Sequence, residues 1–207
     1  TLALAGFASL CGAAHAAKYH EAPMLRERVQ RGELPPVEER LPKNPKVYEP
    51  RESIGRYGGT LTMAVSSGGG SNDPLSCRAP SLFKYSQDTQ RIVCEAAADF
   101  ELSDDYTEIV VHIREGLRWS DGHPFTVDDM LFWWQDTQKN KELRPVLSDM
   151  WKAEGEPAKW EKIDDHTLRI SFAAPNPQIT MWFHSWYAVV SYPKHYLRQF
   201  HIDYNPD

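Results

Sequence analysis

The chain has 207 residues, 41% of them hydrophobic and 25% charged, ordinary proportions for a soluble globular protein of one or two domains. Its net charge is −6 with no block of Lys or Arg, so the electrostatic footprint of nucleic-acid binding is missing and no such partner is expected. Aromatic residues reach 12% and include seven Trp, which favours a partner recognised by apolar and stacking contacts over a polyanion.

Residues 1–17 carry no Asp, Glu, Lys or Arg and are dominated by Ala and Leu. The run is shorter than the roughly 20 apolar residues that span a bilayer. It ends in Ala14-His15-Ala16, a small-x-small pattern suited to signal peptidase. Residues 1–16 are therefore expected to be a signal-peptide remnant, and the rest to be exported and soluble in the periplasm. Gly6, Gly12 and the abrupt polar change at Lys18 speak against a buried helix, and bulky Leu10 before Cys11 against a lipoprotein. Beyond this start two cysteines remain, Cys77 and Cys94. An oxidising compartment permits a disulfide between them, closing a loop of about 17 residues for roughly 3 kcal/mol. Two buried free thiols are the alternative. Metal binding is disfavoured, because neither Cys has a neighbour at ligand spacing.

Residues 17–56 form a Pro-rich lead-in without a sustained apolar period, surface-hugging or partly disordered, with a short helix around Met24–Arg31. Tyr57-Gly58-Gly59 reads as a turn, Thr60–Val65 as a strand, and Ser66–Ser71 as a flexible loop before Asn72-Asp73-Pro74. That glycine stretch lacks the Lys-Ser/Thr of a P-loop and the spacing of a dinucleotide fingerprint, so phosphate cradling is not expected. Phe100 and Leu102 alternate before Asp104-Asp105, and Thr107–Arg114 alternates after it, which predicts an antiparallel hairpin. His112 should face outward. Thr126 with Asp129 fits a capping box, followed by the stripe Val127, Met130, Leu131 and Trp134. A second hairpin is predicted from Trp160–Ile163 and Thr167–Phe172 around Asp164-Asp165-His166. It is followed by a helix over Asn176–Ser185 with Ile179, Trp182 and Phe183 on one face, a short strand at Ala188–Val190, and a helix starting at Pro193. The fold class expected is α/β in the loose, mixed α+β sense, with mostly antiparallel pairs.

Catalytic spacing is missing. The pairs Asp104/Asp105, Asp128/Asp129 and Asp164/Asp165 sit where turns and helix starts favour Asp. A glycosidase needs two carboxylates facing each other across a cleft. The eight His residues show no H-x-H or H-E-x-x-H spacing, and no Ser sits in a G-x-S-x-G turn. No enzyme activity, cofactor or metal is expected. The tryptophans are too many to be all core in so short a chain. Trp133 lies about 100° around the helix from Trp134. Trp151 and Trp186 lie in weakly periodic segments, where each is either a stacking platform for a ligand or packed beneath a loop.

The string Arg114-Glu115-Gly116-Leu117-Arg118-Trp119-Ser120-Asp121-Gly122-His123-Pro124-Phe125-Thr126, continued by Asp164-Asp165-His166-Thr167-Leu168 and Tyr192-Pro193-Lys194, resembles extracellular solute-binding protein family 5. Tyr57-Gly58-Gly59-Thr60-Leu61 resembles the start of the family's mature domain, so the resemblance covers residues 57–207. It departs at Cys94–Asp99, where members carry a Pro-x-Leu-Ala-x-x-Trp type of run. Members are much longer and fold as two lobes closing on a ligand.

The resemblance implies a truncated periplasmic-binding-protein type II fold: the first strands of lobe one plus the small inserted domain. On that reading, 57–75 is the first strand and loop of lobe one, 76–195 the accessory domain, and 196–207 the start of the return to lobe one. The implied function is the substrate-binding component of an ABC importer, a monomer that meets the permease subunits at the membrane and takes a peptide or oligosaccharide. By position, Arg78, Ala79 and Pro80 resemble the cleft-edge segment that pairs with a peptide backbone. Trp186 falls where members place a cleft-facing side chain, and Trp151 is a weaker candidate on the same wall. A sensory or interaction module on the same fold is the alternative, with a secreted hydrolase last.

Overall fold

A computed structural model describes residues 19–60, 62, 80–185 and 187–205. The expected strand over Thr60–Val65 and the glycine loop after it lie largely outside the described residues.

The lead-in holds two short helices, α1 (Arg26–Gln30), entered through a 3-10 turn at Pro23–Leu25, and α2 (Val37–Arg40). Pro23 and Pro36 stand at helix starts, where a missing N–H costs nothing. The segment then hugs the remainder of the protein, one of the two states its composition allows. Lys43 N donates to Glu115 O at 2.9 Å, and Pro45 is buried. A Cβ on Gly116 would meet the Pro42 Cα at an ordinary contact distance of 3.4 Å, and it is the φ of +84° that favours glycine there.

Two antiparallel layers follow. Strands β1 (Phe83–Tyr85) and β2 (Ile92–Cys94) form a hairpin with Phe83 opposite Cys94. Strands β3 (Ala97–Leu102), β4 (Glu108–Ile113), β7 (Lys159–Asp164) and β8 (Thr167–Ser171) form a sheet ordered β3-β4-β8-β7. Both hairpins expected from the alternation are present. The registers Phe100 opposite Val111, Val111 opposite Leu168 and Trp160 opposite Ile170 put their apolar side chains on one face. The opposite face is polar: His112 pairs with Glu101 at 3.1 Å, and Arg169 reaches Glu108 and Glu161. Between the two hairpins lies a miniature one, β5 (Lys152–Ala153) with β6 (Glu156–Pro157). Its turn residues Glu154 and Gly155 both have positive φ, as a two-residue turn matched to strand twist requires.

Helix α3 (Val127–Phe132) packs on the apolar face of the sheet. Its capping box is realised: Asp129 Oδ2 accepts from Thr126 N at 3.0 Å, and Thr126 Oγ1 accepts from Asp128 N at 3.3 Å. Trp133–Gln138 continues it as a π-helical turn, closed by Lys139 N donating to Trp134 O at 3.0 Å. Helix α4 (Ile179–Ser185) is shorter than expected, because Asn176–Gln178 caps it as a turn. Residues Tyr187–Val190 form a 3-10 turn and not the predicted strand. Val189 and Val190 are buried side by side, and the segment packs against α3, α4 and the π turn. Helix α5 (Lys194–Leu197) then runs into a 3-10 turn at Arg198–Phe200. His201 ties this end down: its Nδ1 accepts from Asp203 N, which leaves Nε2–H to donate to Asp136 O at 2.7 Å.

Candidate functional site

The ligand-facing residues suggested by the sequence fall in two segments. Of the first, Pro80 is exposed and leads into Ser81 and Leu82, both buried. Ser81 Oγ donates to Phe83 O at 2.6 Å, and Glu95 N and Ala96 N donate back to Leu82 O and Ser81 O. Cys77, Arg78 and Ala79 lie outside the described residues. So does Trp186, which directly follows α4. The described flanks of the two segments belong to elements packed together, since β1 lies on α4. Phe83 and Phe183 meet edge to face at 6.1 Å, and Tyr85 meets His184 at 4.5 Å. Cys94, buried in β2, is disulfide-bonded.

Trp151 is not a ligand platform: it is 0% exposed. It meets Trp133 at 5.5 Å, Trp160 at 5.9 Å, Trp134 at 6.1 Å and Phe183 at 5.5 Å. Trp134 and Trp160 stack at 5.0 Å with 11° between their planes. Four of the seven tryptophans thus share one core, whereas Trp119 and Trp182 are only partly buried. The π turn makes room. Its wider winding lets consecutive Trp133 and Trp134 both point inward, where an ordinary α-helix would carry one of them off the buried stripe.

Trp182, assigned by periodicity to the buried face of its helix, behaves differently. Ile179 and Phe183, four residues apart, are the fully buried pair, and Trp182 stands at the flank, half-buried. It lines an open groove of about 500 Å3 between the start of α4 and the β5–β6 hairpin. Met150 and Ala153 complete the apolar floor, and Asp149, Lys152, Glu154, Asn176 and Gln178 supply polar groups. Lys152 Nζ donates to Asp149 Oδ1 at 3.0 Å. The only sequence signal for this groove is the position of Trp182 at the margin of the helical stripe.

The signature string is a fastening. Leu117 and Phe125 are joined by a backbone bond of 2.9 Å, and Arg118 bridges to Pro124. The carboxylate of Asp129, 4% exposed, accepts from three places: Thr126 N, Trp119 Nε1 at 3.3 Å and Lys194 N at 2.8 Å. The string at 114–126, the helix start and the Tyr192-Pro193-Lys194 segment therefore converge on one side chain. Beside it, His195 Nε2 lies 2.6 Å from Asp121 Oδ2 and stacks on His123 at 3.9 Å. This hydrogen bond holds the Asp121 carboxyl below the usual carboxylate range. Arg114, also of the string, is buried and donates from Nε to Glu95 O at 2.8 Å and from Nη1 to Asn44 O, clasping the lead-in. Burial pulls its guanidinium below its ordinary pKa. The acidic pairs meet structural partners: Lys162 Nζ bridges Asp128 at 2.8 Å and Asp165 at 2.7 Å. No cluster of three metal-ligating side chains occurs among the described residues. Nor, among them, is any helix long and apolar enough to cross a membrane.

Comparison with known proteins gives a consistent picture. The chain is 27% identical over 208 residues to the periplasmic alpha-galactoside-binding protein of Rhizobium meliloti, covering 90% of this chain and 30% of that protein. Among solved structures it is similar to the oligopeptide-binding protein OppA, with a TM-score of 0.81 and 32% identity over 92% of this chain and 29% of the other. The fold is also that of the periplasmic binding protein MelB of Agrobacterium fabrum C58, solved with stachyose, at a TM-score of 0.73 and 24% identity, covering 93% of this chain and 32% of that one. The chain thus spans about 30% of the length of these relatives. Their architecture is the periplasmic-binding-protein fold expected from the sequence, of which this chain carries a part. Residues 91–205 match the middle region of the bacterial extracellular solute-binding proteins, family 5, and the chain belongs to that family.

Proposed function

We propose that this chain is part of the substrate-binding component of an ABC importer, capturing an oligosaccharide or oligopeptide in the periplasm and delivering it to membrane permease subunits. The observation that carries the reading is the family match over 91–205, the stretch that holds the sheet, the tryptophan core and the Asp129 fastening. Two relatives supply the cargo classes, an alpha-galactoside-binding protein and an oligopeptide-binding protein. Residues 1–16 are read as a signal remnant removed on export, and the working unit as a monomer. Residues 57–75 and 196–207 are read as lobe-one segments flanking an accessory domain at 76–195. Arg78, Ala79 and Pro80 act at the cleft edge through main-chain hydrogen bonds, and Trp186 as a ligand-facing side chain. The bridge of Cys94 is assigned to Cys77, which ties the cleft-edge segment to β2.

The test is thermal denaturation of the full-length gene product against a library of short peptides and α-galactosides. At least one member is expected to raise the melting temperature, by about 2.7 kcal/mol of stabilisation at one hundred times its Kd. Trp186→Ala should abolish that rise. No rise with either class overturns the reading.

A further inference from the structure

The groove beside Trp182 has a chemistry that the cleft-edge assignment does not use. Its volume of about 500 Å3 falls in the range of small-molecule sites, about 300–1,000 Å3. One indole offers an exposed flank over an apolar floor of Met150 and Ala153. Around it, the Asn176 and Gln178 amides both donate and accept, and the Asp149 and Glu154 carboxylates accept. Lys152 is already held by Asp149, so no free cation among these lining residues awaits an anionic ligand. An extended peptide is a poor fit. Pro175 and Pro177 on one wall have no N–H to offer a ladder, and the facing hairpin has strands of only two residues, one ending in Pro157. The ligand that matches is neutral, has an apolar face to lie on an indole, and carries hydroxyl groups that donate and accept around its rim. That is a sugar ring.

We infer that this groove is a pyranose subsite, in which Trp182 stacks on one ring of a bound oligosaccharide while Asn176, Gln178, Asp149 and Glu154 bind its hydroxyls. The inference rests on the oligosaccharide form of the proposed function. Trp182 sits three residues before Ser185, the last residue of α4. The subsite is additional to the cleft-edge assignment, so an oligosaccharide of several rings gains a contact here that a disaccharide held at the cleft lacks. The subsite therefore sets a preference for length.

The experiment is calorimetric titration of the full-length gene product with melibiose and with stachyose, an α-galactoside disaccharide and tetrasaccharide. Trp182→Ala is expected to weaken stachyose at least tenfold and melibiose less than twofold. Trp182→Phe, which keeps a stacking face, should weaken stachyose less than threefold. Because Trp182 also packs on the core, the double variant Asn176→Ala/Gln178→Ala provides a second arm, in which the backbone bonds that cap α4 are kept. It should weaken stachyose about threefold or more at an unchanged melting temperature. Unchanged stachyose affinity in the double variant and in Trp182→Ala, or equal losses for both sugars, overturns the subsite while leaving oligosaccharide capture intact. A parent protein that binds peptides and neither sugar overturns both.

Discussion

Replacing Trp151 by Ala separates a core tryptophan from a ligand platform. The side chain is fully buried against Trp133, Trp134, Trp160 and Phe183, with ring centroids 5.5–6.1 Å away. Such a truncation removes a large apolar surface and leaves a cavity that rigid aromatic neighbours fill poorly, at a cost of about 3–5 kcal/mol. With roughly 2–4 °C per kcal/mol for a unit of 150–250 residues, the melting temperature should fall by about 6–20 °C. The Trp151 indole N–H finds no acceptor among the described residues, as is also true of Trp133 and Trp160. Trp151→Phe therefore sheds an unsatisfied donor along with volume, and should cost much less than Ala. Urea denaturation followed by backbone circular dichroism measures both variants. A midpoint that Trp151→Ala leaves unchanged, with loss of ligand binding in the full-length protein, would refute the core assignment and restore the platform.

Three further outcomes follow from the fastenings. Asp129→Ala strands the donors of Trp119, Lys194 and Thr126 and leaves only the Thr126 half of the α3 capping box, so a loss of about 3 kcal/mol is expected in the same urea assay. Arg114→Ala should release the lead-in, seen as faster limited proteolysis within residues 19–60, and Arg114→Lys should not restore protection, because one ammonium cannot reach both Glu95 O and Asn44 O in the same fork. The link between Asp121 and His195 has an acid limit. Its carboxyl is depressed below the ordinary aspartate value of 3.8, so the contribution is full above that value and is lost as pH falls through the depressed one. Asp121→Asn should lower the melting temperature at neutral pH and flatten its fall in the acid limb; an unaltered limb would show that the link is idle.

The elements read correctly from the sequence are those with strong local codes. Thr126 and Asp129 announce α3 because a cap is a contact between neighbours in the chain, and the two hairpins show because Ile109, Val111 and Ile113 alternate on a half-buried sheet. What was hidden depends on distant partners. The β1–β2 hairpin has three-residue strands and a turn at 86–91 without Gly or Pro, so nothing marks it locally. Val189 and Val190 have strand-like composition, but they pack against helical elements. Trp151 follows a weakly periodic stretch, and only the π turn, which no pattern of 3.6 residues foretells, reveals that Trp133 and Trp134 both reach it. On the ligand side, Pro80 and the flank of Trp186 stand on packed elements, whereas the groove at Trp182 emerges only once residues 149–154 and 174–178 are brought together.

The tryptophan core also determines what light will report. With Trp134 and Trp160 stacked at 5.0 Å, and Trp133 and Trp151 within about 6 Å of both, excitation is shared among four indoles and their near-ultraviolet bands couple. These four indoles are buried, so their emission reports the packing of the interior. Followed during unfolding, that emission will register the loss of packing in the core.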